Sequence, residues 1–329
     1  MIVVTGVSGF IASVLVTRLN QDRFFDLVLV DDFHGHSAHE NHERTGRNIA
    51  GKKYLACIDR EDFPHWLESN QQQVQFVFHL GARTDTAETD LAALNRLNLE
   101  YSKTLWRLCA KFQIPLVYAS SAATYGGGEH GYSDAHESVQ WLQPLNPYGV
   151  SKNDFDKWVL SQENCPFFWA GLKFFNVYGP NEYHKSRMAS VVFHAFRQIR
   201  ESGKLKLFMS HREGIAHGEQ KRDFVYVMDV VEVCVFLMHH RKDSGIYNLG
   251  SGSARSFNDL ASAVFGALQL PLNIEYVETP ADIRDAYQYY TCADMTKLNG
   301  IGFPHEFSSL ESGVRDYVNK YLSEDFKIY

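Results

Sequence analysis

Along the first half of this chain, short runs that are apolar at every position alternate with longer stretches whose apolar residues recur every three or four positions. The uniformly apolar runs are Ile2–Thr5, Leu27–Val30, Tyr54–Cys57, Phe76–Leu80, Leu116–Ala119 and Trp169–Phe174. A strand with one wet face alternates apolar and polar residues, whereas a strand that is apolar throughout is buried on both faces. The periodic stretches between them, such as Leu91–Phe112 and Tyr148–Gln162, have the spacing of amphipathic helices. Strand–helix alternation of this kind predicts an α/β fold, a doubly wound parallel sheet with helices on both faces.

The second half is less regular. The pattern predicts a helix over Arg187–Glu201, a strand over Arg222–Val227 and a helix over Phe257–Leu268. Asp229–His240 after the strand makes a further sheet-plus-helix unit, so the chain is expected to return to its first domain near residues 222–250. We place a first domain at 1–176 and a smaller, interleaved α/β lobe mainly in 177–329, with no repeat and no low-complexity linker between them.

At 329 residues, 45% hydrophobic and 22% charged, the chain is ordinary for a globular protein and long enough for two domains. A net charge of −7 argues against a nucleic-acid or anionic-membrane partner, though it permits a local basic pocket. Met1 leads directly into the first strand, without a signal-like segment, and no run of eighteen apolar residues suggests a membrane span. Cysteines 57, 109, 165, 234 and 292 are odd in number and form no CxxC, so reduced thiols in the cytoplasm are expected.

Candidate chemistry begins directly after the first strand, at Thr5-Gly6-Val7-Ser8-Gly9-Phe10-Ile11-Ala12. Gly6 permits a tight turn, and Gly9 lets the backbone of a helix N-terminus, with Phe10 and Ile11, approach a diphosphate. Asp31 lies about twenty residues on, at the end of the second strand, where it can bond a ribose hydroxyl; Asp32 adds charge beside it. That arrangement predicts a Rossmann domain binding a nicotinamide dinucleotide. Asp31 favours NAD, but His34, His36, His39, His42, Arg44, Arg47, Lys52 and Lys53 follow, and any of these could meet a 2′-phosphate, so NADP stays open. No cysteine or regular ligand pair accompanies these histidines, and no metal is expected. Leu80-Gly81-Ala82-Arg83 ends the fourth strand, where a doubly wound sheet lines its crevice.

Tyr148 and Lys152 stand four apart on a predicted helix and so project from one face. A phenol titrating near ~10 is a poor base at neutral pH, and an adjacent ammonium favours its ionised form. Bringing it to ~7 takes about 4 kcal/mol, more than one lysine supplies. A cationic cofactor ring nearby is therefore expected as well.

Taken together, the TGxxGFI start, His79-Leu80-Gly81-Ala82, Tyr118-Ala119-Ser120-Ser121-Ala122-Ala123-Thr124-Tyr125-Gly126 and the Tyr148/Lys152 pair resemble the extended short-chain dehydrogenase/reductases that act on nucleotide sugars. The resemblance implies a Rossmann domain, a smaller C-terminal substrate lobe and a catalytic set of Ser121, Tyr148 and Lys152. Phe174–Val191, with Lys221–Val227, narrows it to the branch that epimerises an activated heptose at a side-chain carbon. In that branch Lys185 takes the second acid/base position; a diphosphate-binding or solvated cation is the plainer alternative. The resemblance also places Asn98 and Val177 at the cofactor, and Asn176, Ser186, His194, Phe208, Arg222 and Tyr287 at the substrate. His194 read alone is equally a core histidine, and Tyr287 a packing residue. Tightly bound NADP, or NAD, and a closed homo-oligomer, often a pentamer, are implied too. Ala12, the Asp31-Asp32 pair and a longer loop after Gly126 depart from the family pattern.

The expected reaction is a transient oxidation to a ketone and a return of hydride to its other face. Tyr148 would take the hydroxyl proton, Ser121 would hold the same oxygen, and a second group would serve the opposite face. Three rivals share parts of this apparatus. A 4,6-dehydratase needs acidic residues where Ala122 and Ala123 stand, a 4-epimerase or reductase has no clear use for Lys185, and a non-catalytic dinucleotide sensor needs no Tyr–Lys pair.

Overall fold

The computed structural model describes residues 1–34, 42–280, 284 and 287–329, and only the backbone of 42–45. His36 and His39, and the side chains of His42 and Arg44, lie outside the described residues.

Seven parallel strands form the central sheet. In chain order they are β1 (Ile2–Thr5), β2 (Leu27–Asp31), β3 (Ala56–Asp59), β4 (Phe76–His79), β5 (Leu116–Ser121), β6 (Trp169–Phe174) and, after three strands of the lobe, β10 (Gly245–Leu249). Their spatial order is β10-β6-β5-β4-β1-β2-β3. The direction of winding reverses between β1 and β4, and the crevice beyond the carboxyl ends of those strands is where such sheets bind ligands. The doubly wound α/β architecture expected from the apolar runs is what forms.

Both faces of the sheet are covered, which is why its strands are apolar throughout. Ile2 and Val4 of β1 face one core, with Val14 and Leu15 of α1 (Phe10–Gln21) and, from α8 (Val227–His239), Val230 and Val233. Val3 faces the other core, with Leu67 of α3 (Phe63–Asn70), Trp106 of α5 (Tyr101–Phe112) and Phe155 of α6 (Pro147–Leu160). Val3, Val14 and Trp106 are almost wholly buried, and each such side chain contributes about 1.5–3 kcal/mol. Between these elements lie α2 (His42–Ile49) and α4 (Leu91–Leu94), the latter running through a π-helical turn into α5.

The smaller lobe carries β7 (Asn176–Tyr178), α7 (Val191–Ser202), β8 (Leu205–Phe208), β9 (Lys221–Tyr226), β11 (Ala254–Ser256), α9 (Phe257–Ala267) and β12 (Ile274–Val277). β7, β9 and β11 make one small sheet, and β8 pairs with β12 in another. Several boundaries shift by a few residues from the pattern-based reading, and two of the shifts have plain causes. β3 starts at Ala56, not Tyr54, because its pairing with β2 begins at Val28 and leaves Leu55 exposed. The helix expected from Arg187 starts at Val191. Ser186 lies at φ 48°, ψ −125°, which breaks the turn Tyr183–Met188 away from α7, and Ser190 caps the new start by accepting from the Phe193 amide.

Candidate functional site

The turn after β1 packs against the turn after β4 so closely that only glycine fits. Gly6 has φ +74°, and a Cβ there would come within 2.5 Å of the Gly81 Cα. The Gly81 amide donates to the Thr5 Oγ1 at 3.1 Å, and Thr5 Oγ1 also meets His79 Nδ1 at 2.9 Å. Helix α1 then begins at Phe10 without a side-chain cap, so the amides of its first turn face the cleft. At the end of β2, Asp31 accepts from the Ser8 amide at 2.7 Å and the Asp32 amide at 2.8 Å. Burial pushes its carboxyl up and those bonds pull it back. This cradle suits a dinucleotide: backbone at the diphosphate, a carboxylate at the ribose.

Ser121 ends β5, and its hydroxyl accepts from the Ala123 amide at 3.1 Å. Across from it, α6 is started by Pro147 and by Asn146, whose side chain accepts from the Gly149 amide at 2.8 Å. That start places Tyr148 in one cleft with Ser121, whose hydroxyl favours the ionised phenol. Lys152, one turn on, donates to the Ala119 carbonyl at 2.9 Å, and burial lowers its pKa to about 8. The expected depression of the phenol by Lys152 is not what this geometry gives. Burial raises the Tyr148 pKa, with Ser121 opposing it, and the Lys152 ammonium is turned to a backbone carbonyl.

One further turn along α6, the wholly buried Asp156 accepts from Tyr118 Oη at 3.0 Å, Ser120 Oγ at 2.6 Å and Lys173 Nζ at 2.7 Å. Lys173 also donates to Thr124 Oγ1 at 2.7 Å. The pair thus braces the strand end that carries Ser121.

Facing this scaffold is Tyr183–Met188. Buried Glu182 clamps both ends of the segment, accepting from the Ser190 amide at 2.5 Å, Ser190 Oγ at 2.7 Å and the Gly179 amide at 3.3 Å. Lys185 extends from it over the Phe10 ring, 5.9 Å from the centroid. Its ammonium has no hydrogen-bond partner among the described residues, and burial lowers its pKa. Both surfaces line one cleft of about 900 Å³, large enough for a dinucleotide and a sugar.

Residues 2–250 match the NAD dependent epimerase/dehydratase family. The chain belongs to that family. Among its relatives, the ADP-L-glycero-D-manno-heptose-6-epimerase of Fusobacterium nucleatum is 46% identical, covering 99% of each chain. That of Alkalilimnicola ehrlichii is 42% identical, covering 97% of each. The crystal structure of the Helicobacter pylori ADP-L-glycero-D-manno-heptose-6-epimerase superposes with a TM-score of 0.80 at 28% identity, covering 97% of this chain and 95% of that one. The family is one of NAD-dependent enzymes, so a nicotinamide dinucleotide is the cofactor that the cradle serves.

Most of the anticipated residues meet in this family member's cleft. Gly6, Gly9, Phe10, Ile11, Asp31, Leu80, Gly81, Ala82, Arg83 and Val177 line it, and so do Ser121, Tyr148, Lys152, Asn176, Lys185 and Ser186. Asn98 acts from behind, accepting from the Arg83 amide at 2.8 Å and donating to Ser151 at 3.0 Å. Asp32 is buried and pairs with Arg60 at 3.5 Å. Lys53 is a correction: its amide bonds Asn20 and its ammonium sits over Phe25, at the opposite ends of the strands from the cleft. His194 is half-buried on α7 and does not line the cleft.

Arg222, Phe208 and Tyr287 gather apart from the main cleft. The Arg222 guanidinium lies 5.4 Å from the Tyr287 ring and donates to the carbonyls of Lys221, at 2.9 Å, and Gln288; Phe208 meets Tyr287 edge-on at 6.3 Å. Two residues along β9, Phe224 does line the cleft, so the cluster continues it along one face of that strand. Arg60 and Glu182 line the cleft as well, and the sequence reading did not single them out. Arg60 follows the last residue of β3 and lines the cleft beside Asp31, a position that the strand-end rule could have flagged.

Proposed function

We propose that this protein inverts carbon 6 of ADP-D-glycero-D-manno-heptose to give ADP-L-glycero-D-manno-heptose, a precursor of lipopolysaccharide core. The observation that carries this is Lys185: its ammonium, with no hydrogen bond or ion pair among the described residues, sits over Phe10 in the same cleft that Ser121 and Tyr148 line. A carbinol C–H is not acidic, and the bound nicotinamide supplies the hydride acceptor and donor that make the inversion accessible. The chain's own residues handle the proton and the oxygen. Tyr148 exchanges the hydroxyl proton on one face of carbon 6, with Ser121 holding the oxygen. Lys185 serves the opposite face once the side chain has rotated about a single bond. Lys152 holds the nicotinamide ribose.

Residues 1–176, with the return through β10, form the dinucleotide-binding unit, and most of 177–329 forms the substrate lobe. Arg222 with Phe208 and Tyr287 takes the nucleotide end, where a guanidinium can bind phosphate bidentately. Arg60 lines the cleft and is the cation that a 2′-phosphate of NADP could meet, while Asp31 and Asp32 beside it suit the free ribose hydroxyl of NAD, so the reading carries NADP with NAD as its alternative. A closed homo-oligomer completes the reading.

Stereochemically pure ADP-heptose, followed by proton NMR, tests it. Tyr148→Phe and Lys185→Ala should each lose roughly 10²–10⁴-fold in kcat. If Lys185→Ala turns over like the parent, the second acid/base assignment is wrong. Faster turnover of UDP-galactose than of ADP-heptose would favour a 4-epimerase.

A further inference from the structure

The segment that bears Lys185 is held from outside by residues 325–329. Asn181, wholly buried at φ 75°, accepts from the Tyr329 amide at 2.8 Å and returns its own side-chain N–H to the Tyr329 main-chain oxygen at 3.4 Å. It also donates to Ser13 Oγ of α1 at 2.9 Å. Tyr183 Oη donates to the Lys327 carbonyl at 2.8 Å, and the Phe326 ring stands edge-on to Tyr183 at 5.6 Å. The same tail reaches the dinucleotide side. Lys52 donates to the Tyr329 oxygen at 2.7 Å, Thr17 Oγ1 does so at 2.9 Å, and Arg47 donates to the Phe326 carbonyl at 3.3 Å. Asn48, next to Arg47, donates to the carbonyls of Ser8, at 2.9 Å, and Asn181, at 3.0 Å.

We infer that residues 325–329 are a positioning clamp: they lock Asn181 and Tyr183 to α1 and α2, and so fix the second acid/base, Lys185, over the glycine-rich turn. The role of Lys185 in turnover rests on the function proposed above; its placement by the clamp does not. Tyr148 and Lys152 lie on α6 and have no hydrogen bond to the tail among the described residues. Loss of the clamp therefore falls on one face of the reaction and spares the other.

Three variants test this. One lacks residues 325–329; Tyr183→Phe removes the bond to Lys327 and keeps the ring; Asn181→Gly removes the side-chain bridge and keeps a residue at ease at positive φ. The first readout is independent of substrate: the rate at which a small amine-reactive reagent labels Lys185, by mass spectrometry across pH 7–10. Each lost bond should raise the labelling rate of the free amine, read at the pH 10 end of the profile, by roughly fivefold, in step with the stability of a single hydrogen bond, while the midpoint of the profile moves up toward that of an ordinary lysine and holds labelling back at pH 7. Labelling of Lys152 should not change.

The second readout is single-turnover reduction of the bound dinucleotide from each pure epimer, followed by absorbance. The clamp variants should slow the epimer that Lys185→Ala slows and leave the epimer that Tyr148→Phe slows. Unchanged Lys185 labelling in all three variants, each shown folded by its thermal unfolding midpoint, overturns the clamp. Equal slowing from both epimers overturns it also. Raised labelling with no activity of the parent on ADP-heptose would keep the clamp and sink the function.

Discussion

The two lysines of the cleft are held by opposite means. Lys152 sits in the middle of a capped helix, its ammonium donating to a β5 carbonyl, and one turn away the buried Asp156–Lys173 pair ties helix, strand and Ser120 together. Lys185 sits on a short kinked turn, with no hydrogen bond to its ammonium among the described residues and its support coming from Glu182 and Asn181 on the flanking chain. On the function proposed, a lysine that holds a ribose gains from a rigid floor. A lysine that serves the other face of a rotating side chain gains from a free head on a clamped base. The difference teaches that the cleft has a fixed half and an adjustable half.

The harshest way to break this contrast is to cut the fixed half's buried pair. Asp156→Ala leaves Lys173 charged and without its partner in a dry interior, which costs about 3–5 kcal/mol. Replacing both, as Asp156→Leu with Lys173→Met, should recover only part of that: the desolvation of two charges is relieved together, but Tyr118 Oη and Ser120 Oγ lose their buried acceptor. Lys185→Met should leave stability unchanged or raise it, since no bond is lost. Urea midpoints of the four proteins measure the series. A loss of several kcal/mol in Lys185→Met would erase the distinction between the halves.

How much of this was legible beforehand follows the same division. Strands apolar on both faces and the glycine turn are local patterns, and the sheet turned them into contacts without surprise; the Tyr148/Lys152 spacing put both residues in the cleft, but not the turn of the Lys152 ammonium to the Ala119 carbonyl. Ser186 was not readable as a break, because nothing in Arg187–Glu201 signals that residue 186 lies at positive φ; the clamp by Glu182 imposes it. Lys53 misled because counting along the chain cannot tell which end of a strand a cation falls on, whereas pairing with β2 puts Arg60 at the cleft end. The role of residues 325–329 depends on contacts more than a hundred positions apart, and no period records those.

A gentler probe is titration of the fixed half. Lys152 has a folded pKa of about 8 against an ordinary 10.5, with burial the cause and Asp156 opposing it. The unfolded chain therefore holds more protons than the folded one between about pH 8 and 10.5, and stability attributable to this group rises with pH across that window. Below pH 8 the penalty for burying the cation is complete, about 3 kcal/mol. Subtracting the profile of Lys152→Met from that of the parent isolates it from other groups. A flat difference across pH 8–10.5 would mean that Lys152 is better solvated than its bond to Ala119 implies.

The smallest effect belongs to the rim of the adjustable half. Arg187 Nη2 meets both oxygens of Asp85 at 3.1 Å, joining the Lys185 turn to the loop after β4. The arginine side chain is 66% exposed, so water and salt screen the pair. Asp85 titrates below its usual range although burial opposes this, through its bond from the Ala87 amide and the Arg187 contact. An exposed pair of this kind is worth about 0.2–1 kcal/mol. Arg187→Ala should lower the urea midpoint by no more than that at low ionic strength, and the difference should vanish in 1 M salt. If it persists there, or exceeds about 2 kcal/mol, the turn leans on the rim and not on its buried anchors, and Lys185 is less free than its unpaired ammonium indicates.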